Sequence, residues 1–151
     1  MITIIAVGKR HDPWLADGIA RYEQRMTRGW QLQWKLLPAS KHSNDAARRE
    51  ESQQVLRVLS PQAYVVLLDE RGTTLDSPAL SRSLHQPIAQ GKSLVLIIGG
   101  AYGVTEAVME RANLVWSLSR LVFPHQLVRL ILAEQLYRAQ QIAAGHPYHH
   151  Q

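Results

Sequence analysis

Residues 94–103 read LVLIIGGAYG, an apolar run that passes directly into a glycine-rich turn. Residues 93–98 are the most strongly strand-like segment of the chain. The glycines tolerate positive φ and let a ligand approach the backbone, so we expect a branched side chain at Gly100 to enter a ligand site. Ligands of α/β proteins bind at such strand ends. The turn matches neither a dinucleotide fingerprint nor a P-loop, and a plain tight turn is the alternative interpretation.

The same alternation of apolar strands and amphipathic helices extends in both directions along the chain. The longest helical pattern, residues 126–144, ends at Gly145 and Pro147. Residues 69–72 read DERG and predict a turn. Strands that alternate with helices indicate an α/β fold, with a mostly parallel sheet flanked by helices. No linker or repeat divides residues 1–151, so we expect a single domain. The other strand-like runs lie at residues 2–7, 32–36, 63–68 and 114–118.

The composition describes a basic protein without cysteine. Lys and Arg number 17 against 12 Asp and Glu, which gives a net charge of +5 and favours a polyanionic partner without requiring one. The lack of cysteine excludes disulfides and thiolate nucleophiles and fits a reducing compartment. No apolar run approaches the roughly 20 residues of a membrane span, and the first strand is too short for a signal peptide. We therefore expect a cytosolic protein that does not enter a membrane.

A second loop that follows a strand carries apolar residues that are unusual for a surface loop. Residues 119–124 read SRLVFP, and the LVF segment either fills the core or forms the wall of an apolar pocket. Leu68 closes a third strand. The carboxyl ends of parallel strands meet at one edge of a sheet. Three strand ends, at Leu68, Gly100 and residues 119–124, could therefore hold an adenine through backbone hydrogen bonds and apolar packing.

The C-terminal segment is rich in groups that carry protons. Residues 146–150 read HPYHH. Three imidazoles suggest a metal site, but no carboxylate lies nearby in sequence. General acid–base catalysis or RNA contact fits better, and a solvated terminus is the alternative. Upstream, Glu134 and Arg138 stand at i,i+4 and predict an ion pair, while Arg138 is also a candidate phosphate contact.

These segments, together with residues 128–139, resemble one family, the small SPOUT methyltransferases that methylate N3 of pseudouridine in bacterial large-subunit ribosomal RNA. The similarity spans essentially the whole chain and is densest at residues 94–149. It implies a C-terminal trefoil knot, a homodimer whose site is completed by the partner chain, and S-adenosylmethionine as cofactor. The implied target is one pseudouridine in the helix 69 loop of 23S ribosomal RNA, on the assembled ribosome. The implied cofactor-binding residues are Leu68, Gly100, Ser119, Arg120, Leu121, Val122, Phe123 and Pro124.

The resemblance also gives the tail a chemical role. N3 of pseudouridine must lose its proton before or during methyl transfer, so a base, or a cation that stabilises the anion, is useful. His149 or Tyr148 could be that base. His149 is favoured because an imidazole titrates nearer neutrality. Arg138 or a tail histidine could be the cation, and no metal is needed. The family tail commonly reads His-Pro-Tyr-His-Arg, whereas this chain has His150 at the last position, which would hold phosphate more weakly.

Two functions of other classes stay open. A nucleotide- or flavin-binding α/β protein would use the same strand ends without binding S-adenosylmethionine. A basic ribosome-associated protein would bind ribosomes and leave N3 unmodified.

Overall fold

The computed structural model describes residues 1–149, in which five parallel strands form one sheet in the order β2-β1-β4-β3-β5. This architecture confirms the predicted α/β fold with a parallel sheet flanked by helices. In chain order the elements are β1 (Ile2–Val7), α1 (Pro13–Glu23), β2 (Leu32–Leu37), α2 (Asn44–Val58), β3 (Tyr64–Thr74), α3 (Ser77–Ala89), β4 (Leu94–Ile98), α4 (Glu106–Arg111), β5 (Leu114–Ser117) and α5 (His125–Ala143).

β4, which confirms the strand predicted at residues 94–98, is the central strand of the sheet. All its residues are buried, and it pairs with β1 on one side and with β3 on the other. Successive side chains point to opposite faces. Leu96 packs in the core that contains Leu132 of α5, whereas Ile97 packs in the core that contains Val55 of α2. Helices α1, α3 and α5 cover one face and α2 and α4 the other, so the apolar residues of β4 are enclosed on both sides.

Local signals set several helix ends. Pro13 stands in the first turn of α1. Backbone N–H groups in the first turn have no acceptor within the helix, so proline, which lacks this group, loses no helical hydrogen bond there. Asp76 caps α3 by accepting a hydrogen bond from the backbone N–H of Ala79 at 2.8 Å. Gly91 follows α3 with φ of 72°, a conformation that glycine adopts readily. Because each helix returns the chain past the sheet, the carboxyl ends of all the strands lie at one edge.

The turn predicted at residues 69–72 is wrong. β3 continues through this segment and pairs with β5, with a register shift between Leu68 and Thr73. Gly72 allows this pairing, since a Cβ at that position would lie 2.5 Å from the carbonyl oxygen of Val115 and would separate the two backbones. The residues that signal a turn in the sequence form a bulge within a long strand. Among residues 1–149, none of the helices is long and apolar enough to cross a membrane.

Candidate functional site

A cavity of about 570 Å³ opens at the carboxyl ends of β3, β4 and β5. Six of the eight predicted cofactor-binding residues line it, and Arg120 and Pro124 lie outside its lining. The glycine turn after β4, residues 69–71 of β3 and the start of α5 complete the wall. The structure thus brings the three predicted strand ends together around one space.

The glycine turn is held in place from the α5 side of the sheet. The backbone N–H of Gly103 donates to the carbonyl oxygen of Gly100 at 3.0 Å, and Gly103 has φ of 76°. His125, in the first turn of α5, bonds through Nε2 to the carbonyl oxygen of Gly99. The turn after β4 is therefore tied to the helix that follows the second cavity loop.

Gly100 faces a buried carboxylate. A Cβ at Gly100 would overlap Oε1 of Glu51, a residue of α2 that is 5% exposed. A side chain at Gly100 would therefore meet Glu51 at its Cβ, and the effect of a branched side chain there on the ligand site stays a prediction. Ser52, the next residue of α2, accepts a hydrogen bond from the backbone N–H of Thr105 at 3.0 Å. Helix α2 thus supports the turn from the second face of the sheet.

The loop after β5 forms an apolar rim at the mouth of the cavity. Leu121 is 72% exposed and Val122 is 85% exposed, so neither fills the core, and both line the cavity with the half-buried Phe123. Ser117 donates its hydroxyl hydrogen to the carbonyl oxygen of Ser119 at 3.0 Å, and Ser119 Oγ accepts from the backbone N–H of Leu121 at 2.9 Å. These bonds fold the loop back across the strand ends. Of the two interpretations of the LVF segment, the structure supports the pocket wall.

The β3 side of the cavity carries an ion pair. Arg71 donates from Nε and Nη2 to the two carboxylate oxygens of Asp69, at 2.9 and 3.0 Å. The hydrogen bonds from Arg71 hold the pKa of Asp69 below its ordinary value. Asp69 therefore stays ionised, and the guanidinium of Arg71 balances its charge. The carboxylate still has lone pairs that can accept a hydrogen bond from a ligand hydroxyl. Glu70, beside it, is exposed.

A second cleft of about 650 Å³ adjoins the cavity and shares Leu118 and Phe123 with it. The start of α3, Trp116 of β5 and Gln135 of α5 line the cleft, together with His149 of the tail. One loop therefore separates the cavity from a partly polar space that contains the predicted catalytic histidine.

Tyr148, a residue of the tail, packs against α5. Its ring lies edge-on to Tyr137, with centroids 4.8 Å apart, and the guanidinium carbon of Arg138 is 4.9 Å from its ring centroid. The phenol donates to Glu134 Oε1 at 3.4 Å. Burial, followed by the charge of Glu134, raises the pKa of Tyr148. A raised pKa keeps the phenol protonated, so Tyr148 is a poor general base.

His149 accepts a hydrogen bond from Arg138, whose Nη1 lies 3.0 Å from His149 Nδ1. A guanidinium only donates, so Nδ1 is the unprotonated nitrogen and Nε2 carries the proton. Arg138 also pairs with Glu134 at 2.6 Å, which confirms the predicted i,i+4 ion pair, and this bond raises the pKa of Arg138. A base role for Nδ1 requires that Arg138 release it. His146 is exposed, and the predicted phosphate contact His150 lies outside the described residues.

Sequence reasoning missed the burial of Arg129. The side chain is fully buried beside the end of β1, donates from Nη1 to the carbonyl oxygen of Lys9 at 2.8 Å, and lies 3.3 Å from His11 Nδ1. Burial, followed by the charge of Arg129, lowers the pKa of His11. The sequence did contain one indication of this burial. Arg129 stands three residues before Leu132 and seven before Leu136, a spacing that places all three on the same buried face of α5.

Comparison with known proteins adds family information. A family model described as "Predicted SPOUT methyltransferase" matches residues 1–149. The Ribosomal RNA large subunit methyltransferase H of Thioalkalivibrio sulfidiphilus is 43% identical to this chain and covers 98% of it, with 97% of the relative aligned. The protein of the same name from Coxiella burnetii is 38% identical, with 98% of each chain aligned.

Solved structures extend the similarity to the fold. TrmJ from Z. mobilis superposes with a TM-score of 0.54 at 15% identity, over 93% of this chain and 70% of that one. The TrmH/SpoU tRNA modifying enzyme of A. aeolicus superposes with a TM-score of 0.51 at 11% identity, over 99% and 81%. The full-length family match and the relatives at about 40% identity agree with this fold, and the chain belongs to the SPOUT methyltransferase family.

Proposed function

We propose that this protein transfers the methyl group of S-adenosylmethionine to N3 of a pseudouridine in the helix 69 loop of 23S ribosomal RNA, on the assembled ribosome. The observation that carries the proposal is the arrangement of one cavity at three strand ends beside a cleft that contains His149. The relatives' printed name, Ribosomal RNA large subunit methyltransferase H, supports a large-subunit RNA substrate. The relatives match along almost the whole chain.

The cavity suits S-adenosylmethionine in size and in chemistry. Its volume of about 570 Å³ falls within the roughly 300–1,000 Å³ typical of small-molecule sites. The strand ends offer backbone donors and acceptors for an adenine, and Leu121, Val122 and Phe123 offer apolar walls. Asp69 offers a carboxylate for ribose hydroxyls. The bound cofactor would supply an electrophilic methyl group, which fits a site with no need for a metal.

The second cleft is the proposed place for the reacting base. His149 presents Nε2–H and is held by Arg138, so this pair can stabilise the charge that develops when N3 loses its proton. His149 could also accept that proton at Nδ1 if substrate binding draws Arg138 away. Tyr148 is assigned a packing role because its pKa is raised.

The proposal includes the assembly and the location implied by the family. We propose a homodimer whose partner completes the site and a C-terminal trefoil knot in each chain, both of which stay predictions. The assembled ribosome is a cytosolic particle, so the proposed location is the cytosol.

Mass spectrometry of 23S ribosomal RNA tests the function directly. RNA from cells that lack the protein should lose one methyl group in the helix 69 fragment, and a plasmid copy of the gene should restore it. Purified protein should methylate assembled ribosomes from the deleted strain. Ribosome binding without any change in methylation would instead support the non-catalytic alternative and would reject the proposal.

A further inference from the structure

Glu51 is a buried carboxylate directly behind the glycine turn of the cavity. Its side chain is 5% exposed. Oε2 accepts a hydrogen bond from the backbone N–H of Ser40 at 3.1 Å. Oε1, which lies against Gly100, has no hydrogen-bond partner among residues 1–149. Gly100 lines the cavity, so only a glycine backbone stands between this oxygen and the ligand space.

The charge of Glu51 is not compensated by a cation in the described part of the chain. None of the ion pairs found among residues 1–149 includes Glu51. The neighbouring Arg48, which also lines the cavity, is directed at Asp45, a carboxylate that it shares with Arg49. A buried carboxylate without a cationic partner is costly, and a positive charge placed nearby in a low-dielectric site would offset part of that cost.

The other carboxylates at the cavity differ from Glu51 in both burial and pairing. Asp69 is neutralised by Arg71, and Glu70 is exposed, so water and salt screen its charge. Glu51 is thus the buried carboxylate beside the cavity whose field no ion pair among residues 1–149 neutralises. This field extends to the cavity because Gly100 has no side chain.

We propose that Glu51 selects the charge of the ligand, favouring the sulfonium-bearing S-adenosylmethionine over its neutral thioether product, S-adenosylhomocysteine. The inference rests on the cofactor in the proposed function. Methyl transfer breaks the methyl–sulfur bond, the electron pair stays on sulfur, and the ligand loses one positive charge. The attraction to Glu51 is lost at that moment, so the same carboxylate favours loading of the substrate and release of the product.

Two substitutions at Glu51 separate charge from shape. Glu51→Gln keeps an amide oxygen that can accept from Ser40 and removes the negative charge. Glu51→Asp keeps the charge on a shorter side chain. Glu50→Gln is the matched control, since Glu50 is exposed on the same helix and accepts from the hydroxyl of Ser40 at 2.8 Å.

Calorimetric titration of the full-length protein with three ligands tests the proposal. The ligands are S-adenosylmethionine, S-adenosylhomocysteine, and sinefungin, which carries an ammonium group in place of the methyl sulfonium. We expect Glu51→Gln to lower the preference for the two cationic ligands over S-adenosylhomocysteine by about tenfold, which is about 1.4 kcal/mol. Glu51→Asp should keep most of that preference, and Glu50→Gln should keep all of it.

The outcomes separate the inference from the proposed function. Equal loss of affinity for all three ligands in Glu51→Gln, with the thermal midpoint unchanged, would show a purely structural role and overturn the inference. Loss of the preference in Glu51→Asp as well as Glu51→Gln would also overturn it, because the charge would not be the cause. A wild-type protein that binds none of the three ligands would reject the proposed cofactor itself.

Discussion

At the scale of single residues, the hydrogen bond between Arg138 and His149 defines the state of the predicted catalytic group. The bond places the proton of His149 on Nε2, which faces away from Arg138. Tyr148 is held by packing against Tyr137 and Arg138. The two tail residues are adjacent in sequence, yet the structure gives only His149 a place in the cleft lining.

Substitution of the tail residues should separate their roles. His149→Ala should lower turnover on ribosomes at saturating substrate by about a hundredfold, the usual size of a lost general acid–base group. Tyr148→Phe keeps the ring contacts and should change turnover by less than about threefold, because a phenol with a raised pKa does not supply the base. The exposed His146→Ala is the control. A Tyr148→Phe enzyme with turnover as low as that of His149→Ala would reassign the base to Tyr148.

His11 should make the stability of the protein depend on pH. Its pKa is lowered in the folded state by burial and by Arg129, so the unfolded chain binds the proton more readily. The free energy of unfolding should therefore fall as pH decreases through the ordinary imidazole range near about 6.5. Urea unfolding at a series of pH values should show a flatter profile for His11→Gln than for the wild type, and an unchanged profile for the exposed His85→Gln. Identical slopes in His11→Gln and wild type would contradict this assignment.

At the scale of secondary-structure elements, the extension of β3 along β5 depends on Gly72. The backbone of β5 approaches Gly72 so closely that a Cβ would lie 2.5 Å from Val115 O and 2.7 Å from Trp116 N. Backbone atoms cannot rotate away as side chains do. The strand pair that positions both Leu68 and the loop after β5 therefore rests on one glycine.

Gly72→Ala should destabilise the protein by more than about 3 kcal/mol, the upper end of ordinary overpacking, because the overlapping atoms belong to the backbone. Gly91→Ala is the matched control. It lies at φ of 72° with no atom within 4 Å of its Cβ position, and it should cost about 1 kcal/mol from backbone strain alone. Urea unfolding measures both values, and equal costs for the two variants would show that the close approach to β5 is not tight.

The tail acts as a separate element in the proposed mechanism. A protein that lacks residues 146–151 retains the whole cavity lining, so its affinity for S-adenosylmethionine by calorimetry should stay within about threefold of the wild type. Methyl transfer to ribosomes should be lost, because the truncation removes His149 from the second cleft. A truncated protein that methylates ribosomes at the normal rate would return the tail to the solvated-terminus interpretation.

At the scale of the whole molecule, a chain of 151 residues has little surface for a cofactor site and an RNA site, which motivates the proposed dimer. Trp14 of α1 is 67% exposed, and α1 packs against α5. Large aromatic side chains such as Trp14 that are exposed on the surface of a single chain are typical of protein interfaces. We propose that the dimer interface includes α5 and this end of α1.

Light scattering should report a two-fold dimer at micromolar concentration in an active preparation. Trp14→Glu should shift the equilibrium toward monomer by burying a charge in the interface, whereas Arg57→Glu, exposed on α2 across the sheet, should leave the dimer intact. An active wild-type monomer would exclude the shared site, and an unchanged dimer in Trp14→Glu would exclude this end of α1 from the interface.

Local features were determined by the sequence alone. The apolar run at residues 94–98 predicted a strand, and the spacing of Glu134 and Arg138 predicted their ion pair, because an apolar run and an i,i+4 contact depend on neighbouring residues. The tertiary structure decided three other features: the continuation of β3 past Gly72, the carboxylate of Glu51 behind Gly100, and the burial of Arg129. Each depends on a contact between segments far apart in the chain, which hydrophobic periodicity does not record. The strand ends were therefore predictable, whereas the charge beside the cavity was not.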